Sequence, residues 1–181
     1  MSQNVLGVAG SLRHDSWNRR LLGALAELAA DDLRLTVYDG LEQIPLFNED
    51  AEEPTPPGVR QLREAVRGAD GLLIATPEYN QSMPGVLKNA IDWLSRTEPV
   101  LEAKPVAVIG ATVGNWGTRL AQAAVRQALT ATGAFVMPQP MLFVARANER
   151  FDPSGRLHDA EVSSGLRKVA QAFRQWMVAH R

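Results

Sequence analysis

Gly10-Ser11-Leu12-Arg13-His14-Asp15-Ser16-Trp17-Asn18 joins two segments of different periodicity. A short apolar run (Val5, Leu6, Val8, Ala9) precedes it, and Leu21, Leu22, Leu25 and Leu28 recur at helical spacing after it. The stretch therefore reads as strand, polar loop and helix N-terminus. A helix start presents free backbone N–H groups and the positive end of the helix dipole. Ser11, Ser16 and Asn18 add neutral donors, and Arg13 adds a charged fork suited to a doubly charged phosphate. A second reading of the same residues is a capped turn, with Ser16 as N-cap and Arg13 in solvent.

Outward from this loop, strand-like and helix-like segments alternate. Strands are expected at Asn4–Ala9, Leu33–Tyr38, Gly71–Thr76, Val106–Gly110 and Ala134–Met137. The third and fourth are continuous apolar runs, as suits strands buried on both faces. Helices are expected at Trp17–Ala30, Val59–Arg67, Pro84–Ser95, Thr118–Ala131 and about Asp159–Val178. Prolines at 57 and 84 suit first turns, and Gly133 suits a helix stop. Five such βα units predict one doubly wound α/β domain over residues 1–181, a five-stranded parallel sheet with helices on both faces.

Ligands of such sheets bind beyond the carboxyl ends of the strands, where the strand order reverses. The loop after the first strand is neither G-x-G-x-x-G nor G-x-x-x-x-G-K-[ST], so a phosphate ligand other than a nucleotide of those classes is indicated. The loop after the third strand, Thr76-Pro77-Glu78-Tyr79-Asn80-Gln81-Ser82-Met83-Pro84-Gly85, sets an aromatic, a carboxylate and two amides between prolines. It suits the edge of a flat heteroaromatic ring, and reads equally as a polar surface turn. In the loop after the fourth strand, Thr112-Val113-Gly114-Asn115-Trp116-Gly117, Trp116 either covers a ring or packs into the domain or a subunit interface. His14 reads as a solvent-facing loop residue and Trp93 as a core or interface residue.

Composition narrows the chemistry. The 181-residue chain has no cysteine, which excludes thiolate catalysis, redox dithiols and Cys-ligated metals. His14, His158 and His180 are widely spaced and show no metal-ligand pattern. A net charge of −1, from 19 basic and 20 acidic residues, gives no case for nucleic acid or an anionic membrane. No run approaches a membrane span and no signal segment is visible, so a cytoplasmic protein is expected. Any redox chemistry has to come from an organic cofactor.

Three motifs in order carry a resemblance: Gly10-Ser11-Leu12-Arg13-x-x-Ser16-x-Asn18, Pro77-Glu78-Tyr79-Asn80, and Pro84-Gly85-Val86-Leu87-Lys88-Asn89-Ala90-Ile91-Asp92-Trp93-Leu94-Ser95-Arg96. Together with Pro45-Leu46-Phe47-Asn48-Glu49-Asp50 they resemble the NADPH-dependent FMN reductase family, most closely its bacterial quinone, chromate and azo-dye reductases. The resemblance implies a flavodoxin-like sheet of order 2-1-3-4-5, non-covalent FMN, NADPH as donor, small-molecule acceptors, and a homodimer or homotetramer. It places Ser11, Arg13, Ser16, Trp17 (through its backbone) and Asn18 at the FMN phosphate. Pro77, Glu78, Tyr79 and Asn80 then lie along the isoalloxazine, and Thr112, Gly114 and Trp116 close its other side. Many members carry Gly-Gly where this chain has Trp116-Gly117. No catalytic side chain is expected, since the flavin carries the reactivity. The rival reading is a flavodoxin-like electron carrier, but the balanced charge lacks the acidic docking field of such carriers.

Overall fold

Residues 3–30 and 33–180 are described by a computed structural model. The two ends of the expected 1–181 domain, and residues 31 and 32, lie outside the described residues. Five parallel positions make up the sheet, β1 (Gln3–Ala9), β2 (Leu33–Val37), β3 (Gly71–Ala75) and β4 (Pro105–Ala111) filling the first four in the order β2-β1-β3-β4. The order reverses at β1, which lies between β2 and β3. The helices α1 (Trp17–Leu28), α2 (Pro57–Gly68), α3 (Gly85–Leu94), α4 (Arg119–Ala131) and α5 (Ala160–Ala179) fall within two residues of their expected bounds.

The fifth position departs from expectation. Instead of one strand it holds two, β5 (Phe135–Val136) and β6 (Leu142–Val144), both parallel to β4. Pro138 and Pro140 between them have no N–H to give to a ladder. The guanidinium of Arg126 on α4 spans the gap, donating to the carbonyls of Met137 (2.6 Å) and Val108 (3.3 Å).

Each face of the sheet carries its own core. Leu73 and Ile109 point toward α1 and α5, against Leu21, Leu25, Leu166 and Phe173. Their neighbours Leu72, Ile74 and Val108 point the other way, against Leu62, Val66, Trp93 and Leu129 of α2, α3 and α4. This alternation explains why β3 and β4 are apolar at every position. Trp93 is fully buried, as a core residue, and its indole N–H donates to the Pro45 carbonyl (2.8 Å).

Candidate active site at the carboxyl edge of the sheet

The ladder brings three loops to one edge. The Gly10 N–H donates to Ala75 (2.8 Å) and the Thr76 N–H to Ile109 (3.0 Å), so the loops after β1, β3 and β4 leave the sheet side by side.

In the first loop, Ser16 caps α1 in extended conformation, its hydroxyl oxygen accepting from the Arg19 N–H (3.3 Å). The Ser11 hydroxyl accepts from the Arg13 N–H (3.3 Å). Both hydroxyls are buried and act as acceptors in these bonds, so each keeps its proton free to donate. Among the described residues the Arg13 guanidinium is exposed and has no ion pair or hydrogen bond. The first-turn N–H groups of Trp17 and Asn18 have no intrahelical acceptor. The Trp17 ring lies 5.7 Å from Phe151, with the Arg20 guanidinium 4.7 Å above it, which leaves only its backbone to the loop. Ser16 thus caps the helix, and the Arg13 side chain stands in solvent beside the cap.

The Asn18 side chain, read from the sequence as a donor of this loop, is buried and bonded twice to Ala111, Nδ2 donating to the carbonyl (3.0 Å) and Oδ1 accepting from the N–H (2.8 Å). It ties the start of α1 to the end of β4, with one Nδ2 proton used on the Ala111 carbonyl.

The loop after β3 is a tight reversal. Tyr79 and Ser82 exchange two backbone hydrogen bonds of 3.0 Å, with Asn80 (φ 49°) and Gln81 (φ 63°) in the left-handed region between them. That conformation suits Asn and is uncommon for Gln. The turn holds the Tyr79 ring out at the surface, 47% exposed. The Glu78 carboxylate turns to α4: its Oε2 accepts from the N–H groups of Leu120 (2.8 Å) and Ala121 (3.0 Å). Thr118, the residue before α4, has φ 64° and no capping bond, so the Glu78 carboxylate caps the helix from another loop.

The loop after β4 is braced from beneath. Thr112 donates from its N–H to Val144 (3.0 Å) and its carbonyl accepts from Ala147 (2.9 Å), while the Gly114 carbonyl accepts from Arg146 (3.0 Å). Gly117 sits at φ 64° where a Cβ would lie 2.6 Å from that of Phe143, so no other residue fits. On this frame Trp116 is 72% exposed, which rules out packing into the domain.

Two clefts open along this edge and share Leu12 and Arg13. The larger, about 520 Å³, lies between the first loop and Tyr38–Glu42; the smaller, about 380 Å³, is bounded by Tyr79, Pro84 and Val86. Thr112, Gly114 and Trp116 line neither of these two. His14 is fully exposed, 3.6 Å from Asp15.

Residues 3–149 match the model of the NADPH-dependent FMN reductase family. The chain belongs to that family. It is 41% identical over 175 residues to an NAD(P)H-dependent FMN reductase of Pseudomonas aeruginosa, covering 96% of this chain and 94% of the relative. It is 41% identical over 175 residues to the 2-hydroxy-1,4-benzoquinone reductase of a Burkholderia species, covering 96% and 93%. The flavoenzyme NAD(P)H:(acceptor) oxidoreductase FerB of Paracoccus denitrificans superposes with a TM-score of 0.91 at 33% identity over 98% of each chain. Membership in the FMN reductase family makes the chain an oxidoreductase with its own substrates, in preference to an electron carrier without one. Among the described residues no group of side chains is placed to hold a metal, and no helix is long and apolar enough to cross a membrane.

Proposed function

We propose that the chain takes electrons from NAD(P)H and passes them to quinones or similar small acceptors, with FMN held non-covalently at the carboxyl edge of its sheet. The observation that carries this reading is the first loop: an unpaired Arg13 beside two buried hydroxyls with free protons and two unpaired helix N–H groups. Such a donor set fits a dianionic phosphate. Arg13, Ser11, Ser16 and the N–H groups of Trp17 and Asn18 would hold the phosphate. Pro77, Tyr79 and Asn80 would line the ring, with Glu78 fixing their loop against α4 and Thr112, Gly114 and Trp116 on the far side. Bound FMN supplies a two-electron relay between donor and acceptor. The chain's own part is to bind, orient and exclude.

The test is anaerobic titration of the FMN-loaded protein with NADPH and then NADH, read in the visible absorbance of the flavin. Bleaching by either, reversed on adding a quinone, is the expected result; bound flavin that neither bleaches restores the electron-carrier reading. The proposal extends to one cytoplasmic FMN-binding domain that assembles as a homodimer or homotetramer. Exposed Leu46, Val113, Trp116 and Leu120 support assembly, and light scattering tests it.

A further inference from the structure

The larger cleft touches the proposed flavin site only at Ser11 and Arg13, and its opposite wall has no part in that site. That wall is the chain just past β2: Tyr38, Asp39, Leu41 and Glu42. Arg19, from the first turn of α1, forms an ion pair with Asp39 at the mouth. The two side chains are 42% and 71% exposed, so a ligand can reach both. Tyr38 is half-buried, and burial, then the nearby Glu42 carboxylate, hold its hydroxyl protonated beyond the ordinary range. It is therefore a steady hydrogen-bond donor.

In doubly wound sheets whose first loop carries the dinucleotide glycine pattern, which this chain lacks, the adenosine ribose lies just beyond the second strand, the position of this wall. A carboxylate there accepts from the ribose hydroxyls of NADH, or an arginine takes the 2′-phosphate of NADPH. This cleft has one of each, paired together. We propose that it holds the adenosine end of the electron donor, with Asp39 accepting from the ribose hydroxyls of NADH and Arg19 pairing with the 2′-phosphate of NADPH. The proposal rests on the reading of the chain as an NAD(P)H-driven enzyme. A 2′-phosphate competes with the Asp39 carboxylate for Arg19, so this pair sets the balance between the two coenzymes. At about 520 Å³ the cleft has the size of a small-molecule site. The first loop lacks the dinucleotide glycine pattern, which leaves its donors to the flavin phosphate.

Arg19→Ala and Asp39→Asn test this in the FMN-loaded protein. The readouts are KM for both coenzymes and calorimetric binding of two unreactive probes, ADP-ribose and its 2′-phosphorylated form. Arg19→Ala should weaken the phosphorylated probe, and raise KM for NADPH, about tenfold, while the unphosphorylated pair moves less than about twofold. Asp39→Asn should do the reverse, weakening ADP-ribose and NADH selectively. FMN content and melting temperature should match the parent in both variants, which separates the effect from misfolding. Equal losses for both probes, no loss in either variant, or no binding of either probe by the parent protein overturns the proposal. A parent that oxidises neither coenzyme overturns the proposed function instead, and the probes still decide the cleft because they transfer no electrons.

Discussion

Arg13, Asn18 and Glu78 are all polar residues of the matching motifs, and the structure gives them three different tasks. Arg13 is left free. Replacing it with alanine should weaken FMN roughly tenfold to a hundredfold, measured by flavin fluorescence titration; an unchanged affinity in a folded variant removes it from the site. Asn18 is a buried tie whose loss leaves the Ala111 N–H and carbonyl unpaired. Asn18→Ala should therefore cost about 2–4 kcal/mol of stability in urea unfolding. In local order Asn18 and Glu78 show only as polar residues of two loops, with no sign of these bonds. Their partners lie 93 and 42 residues away, and only the folded chain shows the bonds. What was legible was the cap at Ser16 and the burial of Trp93, both set by neighbours in the same segment.

Among the elements, helices were legible because their apolar spacing is long and regular, and β3 and β4 because they are apolar throughout. The strand at β6 was missed. Its three residues, Leu142-Phe143-Val144, form a β-prone run whose signal is hidden behind two prolines. At the start of α5, the Asp159 carboxyl is held below its ordinary value by the Val162 N–H it caps, with help from Arg150. A depressed folded value contributes stability above the unfolded pKa and loses it as pH falls through the folded one. Stability should thus decline as pH drops below about 4, and Asp159→Asn, which keeps a capping oxygen, should flatten part of that decline in thermal melts. In the loop after β4, the braced backbone does not depend on the indole. Trp116→Gly should leave the FMN dissociation constant within about twofold while shifting KM among quinones, since the exposed ring contributes surface and not framework. Identical steady-state constants across several quinones would refute this.

For the molecule as a whole, a ligand that binds only the folded chain raises its stability by mass action. FMN at about 100 times its dissociation constant should raise the melting temperature by on the order of 5–10 °C, and Arg13→Ala at the same FMN concentration should lose about half of that increment or more. The doubly wound architecture and the strand order were both reachable from the sequence, the first from alternating periodicities and the second from the family resemblance. The pairing of Arg19 with Asp39 was not, because it joins the helix after β1 to the chain after β2. The divided fifth position has one more consequence. At that rim, among the described residues, the sheet offers a partner only β5 and β6, two and three residues long, with Pro138 and Pro140 between them. At the other rim, β2 carries an exposed Arg34. Short, interrupted or charged borders are poor templates for strand addition. Another chain, a second copy included, thus finds little ladder to extend and has to meet this protein through its helices and loops.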